Sequence, residues 1–349
     1  MTGTGQATSL WVMDDDAAQH DISAFGMRSG DDGALVSGGS VPGLSRPAYT
    51  LHRPDGVGSP VLIAVPHGGR AYPAELMDRL RHGEAAAIRL EDRFIDMVGR
   101  AAAASCGASL LIAHAPRAML DLNRDTRDLD PGMFRGGLPA SGAGAAATGA
   151  SGRALPRQQP RWRRGLGLFP RSLSGSGELW RAPMNAPEAE RRIAAIHVPY
   201  HAQLAQELAR LRDRHGYAML IDLHSMPSLP RRAGLPQATH VVGDRFGTSC
   251  ASAIAACAME CLNRAGVGSA YNRPYAGGYV LDRHADPRGG IHALQLEIDR
   301  ARYLDGEGRP DDDAIAHESD IVAALARDLA VLLSGMGVAA GWPLADAAE

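Results

Sequence analysis

The 349-residue chain contains no run of eighteen apolar residues, the length a helix needs to cross a bilayer, so a membrane span is excluded. Its polar N-terminus holds no apolar segment followed by a small-residue cleavage site, and Sec-type export is not expected. Cysteine is scarce. Cys106, Cys250, Cys257 and Cys261 are too few and too clustered to frame a chain of this size with disulfides, which makes a reducing cytoplasm the expected compartment. Cys257 and Cys261, four apart on an Ala-rich stretch, read as small core hydrophobes. Positive charge is not in excess either: 36 Lys and Arg against 39 Asp and Glu leave a net charge of −3, no overall field for nucleic acid. Two hydrolase signatures are missing. Ser225 lacks a Gly-x-Ser-x-Gly elbow, which argues against a serine nucleophile. His197 and His201 are four apart with no Glu after His197, so they read as packing residues or supports behind a site. No internal repeat is present.

What is there is globular: 45% hydrophobic and 21% charged residues are enough to build a core. Residues 1–45, with Asp14-Asp15-Asp16, mix Gly, Ser and Asp without periodicity and read as a flexible arm. Residues 46–345 are expected to form one catalytic domain. Within it, apolar runs at 61–65, 109–113, 217–221, 240–242 and 291–298 read as buried strands, with a shorter extended piece at 118–120. Helices are expected at about 84–104, where Ile88, Phe94, Ile95 and Val98 keep helical spacing, and at 186–214, 250–264 and 313–333. Strands alternating with helices predict an α/β three-layer sandwich around a mixed, mostly parallel sheet. Between about 131 and 177 a Gly/Ala/Arg-rich insertion interrupts the pattern and carries Arg153, Arg157, Arg161, Arg163, Arg164 and Arg171. It reads as a disordered insertion or a lid, with no nucleic-acid-binding motif beside the arginines.

Ligands of open α/β sheets bind beyond the carboxyl ends of strands, so the residues there are the first to inspect. They are Pro66-His67-Gly68-Gly69, Asp121-Leu122-Asn123-Arg124 and Asp222-Leu223-His224-Ser225, and the last strand carries Gln295-Leu296-Glu297. His67 and His224 are candidate metal ligands, since hydrolytic zinc sites often take two His and one carboxylate. Asp92 is the carboxylate of choice, with Glu91 and Asp96 as alternatives. Either histidine alone could equally be a hydrogen-bonded loop or core residue. Glu297 in an apolar strand is costly unless it is paired or reactive. It reads as a general base, or else as a salt-bridge partner of Arg300 or Arg302. Arg117 and Arg124 suit a carboxylate, Asn123 adds an amide, and the loop Asn272–Tyr279 with Arg273, Gly277, Gly278 and then Arg283 precedes the Glu297 strand.

These stretches, in order from Val65-Pro66-His67-Gly68-Gly69 with Tyr72-Pro73, through Glu91-Asp92-Arg93-Phe94, Arg117, Asp121–Arg124, Pro199-Tyr200-His201, Asp222–Ser225 and Gly277-Gly278, to His292–Glu297, resemble the N-formylglutamate amidohydrolase family. The resemblance spans roughly residues 58–304; the segment 131–177 and the N-terminal arm depart from it. It implies an architecture shared with zinc carboxypeptidases and aspartoacylase, and one zinc ion bound by His67, Asp92 and His224. The His-x-x-Glu spacing of carboxypeptidases is interrupted here by Arg70. It further implies that Asn123 and Arg124 hold a substrate carboxylate, Arg117 polarises the scissile carbonyl, Glu297 activates the water, and Arg273 or Arg283 holds a second carboxylate. The expected partner is a small acidic N-acyl amino acid, with N-formyl-L-glutamate giving formate and L-glutamate. A deacylase for another small N-acyl amino acid, or a catalytically silent binding module of the same fold, are the alternatives.

Overall fold

Eight strands form one sheet in this computed structural model, which describes residues 34–140, 160–173, 175, 177–231 and 236–340. In chain order they are Leu35–Gly38 (β1), Tyr49–His52 (β2), Val61–Val65 (β3), Ser109–Ala113 (β4), Ala218–Met226 (β5), His240–Gly243 (β6), Ser269–Tyr271 (β7) and Ile291–Asp299 (β8). Their order across the sheet is β1-β2-β4-β3-β5-β8-β6-β7. The four central strands β4, β3, β5 and β8 are mutually parallel, while β2 and β6 join them antiparallel. Both faces of these central strands are covered, which is why β3 and β4 read as apolar runs. Each fully buried Leu or Ile among them contributes about 1.5–3 kcal/mol.

The helices divide between the faces. Ile95–Cys106 (α3), Ser252–Arg264 (α6) and Asp312–Ala340 (α8) cover the side built on Ile63, Val65, Leu223 and Leu296. The opposite side, built on Leu62, Ala64, Leu220 and Ala293, is covered by Ala74–Arg79 (α1), Gly83–Leu90 (α2), Ala186–Arg192 (α4), Val198–His215 (α5) and Tyr279–His284 (α7). The sandwich expected from the alternation of elements is the fold observed.

Four local readings are corrected. The expected helix at 84–104 is two helices, because Glu91 is extended and Phe94 adopts a left-handed conformation at φ 58°. The helix at 186–214, where Pro199 in the sequence implies an interruption, is not broken by that proline. A π turn, Ile193–His197, widens the helix just before it and leaves the proline in the first turn of α5, where a missing N–H is tolerated. Residues 118–120 form no strand. The flexible arm does not extend to residue 45, since Leu35–Gly38 pairs with Tyr49–His52 as the sheet edge; residues 1–33, including Asp14-Asp15-Asp16, lie outside the described residues.

Part of the 131–177 segment is core. Leu168 and Phe169 are buried, and the Asp121 N–H donates to the Leu168 carbonyl at 2.8 Å. Residues 141–159, with Arg153 and Arg157, lie outside the described residues.

Candidate metal centre and active site

Strand alternation builds one wall of the site. Successive side chains on a strand point to opposite faces, so residues two apart share a face. On β5 the face carrying Leu220 continues to Asp222 and His224. On the parallel β8 the face carrying Ala293 continues to Gln295 and Glu297. The register places Gln295 beside Asp222 and Glu297 beside His224. Four polar side chains thus meet where two apolar rows end, and β5 runs through to Met226 instead of stopping at Ile221.

The other wall comes from the turn after β3. Gly69 packs so tightly against the His114 and Ala115 backbone that an added Cβ would lie 2.3 Å from the Ala115 carbonyl oxygen. This close approach turns the chain so that His67 faces the sheet end. The Asp92 N–H donates to the His67 carbonyl at 3.0 Å, which fixes the break between α2 and α3 beside the histidine. The ligand atoms of His67, Asp92 and His224 lie within 4.8 Å of one another, all three residues buried. Glu91 is instead paired with Arg93 at 3.0 Å, and Asp96 with Arg70 at 2.8 Å.

The hydrogen bonds assign the facing nitrogens. His67 Nε2 donates to Asp121 Oδ1 at 2.7 Å, leaving Nδ1 buried, without a hydrogen bond and 3.5 Å from Asp92 Oδ2. His224 Nε2 meets Asp222 Oδ2 at 2.9 Å, and its Nδ1 meets Asp92 Oδ2 at 3.0 Å. Each imidazole therefore has a buried carboxylate behind it and turns Nδ1 toward Asp92, an arrangement typical of histidines that ligate metals. The orphaned His67 Nδ1 is a donor set lacking its acceptor, and two imidazoles with one carboxylate suit a divalent metal.

The electrostatics are those of a densely charged, buried cluster. Burial disfavours charge on Asp92, yet the His224 hydrogen bond and the closeness of both imidazoles outweigh it and hold its carboxyl well below the usual range. Burial likewise opposes charge on His224, but Asp222 and Asp92 raise its pKa well above that of free imidazole. Glu297 goes the other way. Burial, reinforced by Asp92 and Asp222 against the pull of His224 and Arg117, pushes its carboxyl up to about 8. Its hydrogen-bond partner is Gln295 Nε2 at 2.8 Å. The pairing with Arg300 or Arg302 considered from sequence is not observed: Arg300 donates to Asp92 Oδ1 at 3.2 Å, and Arg302 pairs with Glu318.

A carboxyl raised from 4.5 to about 8 binds its proton more tightly in the folded chain than in the unfolded one. Between those two values the unfolded state has released a proton that the folded state keeps, so this group's contribution to stability falls as pH rises through that window. For the metal-free protein, the Glu297→Gln variant should show a flatter decline in melting temperature from pH 5 to 8 than the wild type. The difference amounts to a few kcal/mol at most, at about 1.4 kcal/mol per pKa unit. Equal slopes in thermal melts would refute it.

The remaining predicted residues are placed as follows. Arg117 donates through Nε and Nη2 to Asp121 Oδ2, both at 2.9 Å, and also feels Asp92 and Glu297. Arg124 donates through Nε to the Leu166 carbonyl at 2.8 Å and through Nη1 to the Asn123 carbonyl at 2.6 Å. The Asn123 amide is fully used inside the protein, donating to Gln295 at 3.2 Å and accepting from the Val280 N–H at 2.9 Å. Gly278 lies against that amide, where an added Cβ would be 2.4 Å from Asn123 Oδ1. Arg283 donates to the Tyr279 hydroxyl at 2.8 Å. Arg273, with Gly277, lines a neighbouring groove.

His197 and His201 support the loop that carries Asn123 and Arg124. His201 Nε2 donates to the Leu122 carbonyl at 2.9 Å, His197 Nε2 to the Arg124 carbonyl at 3.0 Å, and His284 Nε2 to His201 Nδ1 at 2.9 Å. Burial favours the neutral form of all three, lowering His197 to about 4 and holding His201 and His284 well below the usual imidazole range.

Asp121 and Asp222, quoted above only as parts of motifs, are the carboxylates behind His67 and His224, a place the sequence alone does not assign them. A charged residue two before His224 on an apolar strand was the available signal for Asp222. Replacing either by asparagine should weaken metal binding about 10–100-fold. Chelator competition measures this, and unchanged affinity would remove both residues from behind the histidines.

A model of the N-formylglutamate amidohydrolase family matches residues 59–304. The chain belongs to that family. Among its relatives is an N-formylglutamate deformylase of Pseudomonas aeruginosa, 30% identical over 283 residues, covering 79% of this chain and 92% of the relative. A second from Pseudomonas putida is 31% identical over 251 residues, with 70% and 82% covered. The crystal structure of N-formylglutamate amidohydrolase from Ralstonia eutropha JMP134 superposes with a TM-score of 0.62 at 27% identity, over 84% of this chain and 97% of that one. The family's match contains every residue of the cluster His67–Asp92–His224 and Glu297.

Proposed function

We propose that the protein is a zinc-dependent amidohydrolase that cleaves N-formyl-L-glutamate to formate and L-glutamate. The observation that carries this reading is the cluster of His67 Nδ1, Asp92 and His224 Nδ1 beside Glu297, in a chain whose relatives are named N-formylglutamate deformylases.

One zinc ion held by His67, Asp92 and His224 would act as a Lewis acid and lower the pKa of water from about 15.7 toward about 7. Glu297 takes the proton from the attacking water and delivers it to the leaving amine. A buried carboxyl poised near neutrality suits both halves of that transfer. Arg117, anchored by Asp121, supplies positive charge where the carbonyl oxygen becomes an oxyanion. Arg124 attracts the substrate carboxylate, while Asn123 acts by fixing Gln295, and through it Glu297. Gly277 and Gly278 let the loop backbone approach this pocket, and Arg273 and Arg283 remain the cationic groups for a second carboxylate. Four cysteines without disulfides agree with a cytoplasmic setting.

The test is formate release by zinc-loaded protein supplied with N-formylglutamate, compared with N-acetyl- and N-formiminoglutamate. A kcat/KM highest for the formyl substrate is expected. No formate from it, with turnover of another acyl compound, would replace this reading by the broader deacylase.

A further inference from the structure

Along the loop that ends at Gly278 against Asn123 lies a groove of about 490 Å³, lined by Arg161, Arg245, Arg273, Phe246, Pro274 and Gly277. That volume is in the range of pockets that take small organic ligands, and exceeds what one carboxylate needs. Arg245 is neutralised by Asp282, with bonds of 2.6 and 2.9 Å. Among the described residues, neither the Arg161 nor the Arg273 guanidinium has a carboxylate partner. Both side chains are exposed, and two guanidiniums lining one groove offer an anion two charged, bidentate donors.

The groove is both preorganised and joined to the site. Its loop is held by Asp244, which accepts from the Tyr271 hydroxyl at 2.6 Å, from Asn272 Nδ2 at 2.7 Å and from the Gly247 N–H at 2.9 Å. The Arg245 N–H donates to the Ala276 carbonyl at 2.8 Å. From the groove, Gly277 leads directly to Gly278 against Asn123. Arg161 is linked to Arg124 through Leu166, whose N–H donates to the Arg161 carbonyl at 3.2 Å and whose own carbonyl accepts from Arg124.

We infer that this groove extends past the second-carboxylate position proposed for Arg273 to a further anion subsite at Arg161, taking the distal carboxylate of an N-acyl glutamyl peptide, so that the site accepts N-formyl acidic dipeptides as well as N-formylglutamate. The inference rests on the proposed deformylase reading. The bond cut is the same: the formyl C–N bond breaks, the oxygen of water goes to formate, and the amine of the peptide leaves with the transferred proton.

The experiment measures binding of glutamate, α-glutamylglutamate and γ-glutamylglutamate to zinc-loaded full-length protein by calorimetry, for wild type, Arg161→Ala and Arg161→Glu. At least one dipeptide should bind about tenfold more tightly than glutamate, and Arg161→Glu should abolish that preference while glutamate affinity is kept. The linkage that binds more tightly identifies the peptide class. Arg161 is exposed, so folding is not at risk, and circular dichroism verifies it. Dipeptides binding no better than glutamate would overturn the inference. So would an equal loss of both ligands in the variants, which would make Arg161 part of the glutamate site. Formate release from N-formylglutamate by the same wild-type sample judges the deformylase reading separately.

Discussion

Glu297→Gln should lower kcat about 10²–10⁴-fold, the usual contribution of a positioned acid–base group, while the purified protein keeps its full metal content. The glutamine fills the same space and can still bond Gln295, so neither strand β8 nor the three-residue cluster loses its packing. What disappears is the carboxyl proposed to carry the proton beside His224. Steady-state formate release paired with elemental analysis separates the possibilities. Loss of metal along with activity would move Glu297 from proton transfer into the metal's own ligand set, and undiminished turnover would give proton transfer to another group.

Asp92→Ala is the second large effect, and it acts on binding before chemistry. Asp92 Oδ2 is the one oxygen approached by both imidazoles, and Oδ1 is steadied by Arg300. Removing the carboxylate leaves two histidines with a vacant third position and strips His224 of one of the charges that hold its pKa up. Metal should fall well below one ion per chain, with formate release below detection. Because Asp92 is buried against cationic groups, the variant should also melt at lower temperature; breaking a buried charge pair typically costs about 3–5 kcal/mol. Activity should therefore be read at a temperature where circular dichroism shows a folded chain. Full metal content in a folded Asp92→Ala protein would exclude this carboxylate as a ligand. Glu91 and Asp96 are poor substitutes, since Arg93 and Arg70 already hold them.

The parts of this molecule legible in its sequence are those governed by local composition. The strands at 61–65 and 109–113 show themselves because a parallel sheet buried on both faces leaves few polar positions to confuse the run. His67 and Glu297 stand out because polar groups at the ends of such runs need a reason to be there. His224 is found for the same cause, although its strand was read as ending at Ile221. Polar residues at alternate positions ended the apolar run before the hydrogen-bonded ladder ended.

What could not be read depends on distance in space. Ile88, Phe94, Ile95 and Val98 keep helical spacing across a break that exists because Asp92 is bonded to the backbone of His67. Nothing within that stretch encodes the partner. The supporting roles of Asp121 and Asp222 appear only when 2.7 and 2.9 Å contacts to imidazole nitrogens are seen. Arg300 follows Glu297 by three residues in the chain, yet it bonds Asp92, which enters the site from a segment more than two hundred residues upstream. The short strand Leu35–Gly38 carries half-exposed and exposed side chains only, so its composition resembles a loop.

The most direct measurement is a stepwise return of zinc to chelator-stripped protein, with formate release from N-formylglutamate recorded at each addition. Activity should be absent at the start, rise in proportion to zinc, and reach its plateau at one ion per chain. Full activity in the stripped protein, or a plateau reached only at two ions, would contradict a single metal gripped by His67, Asp92 and His224.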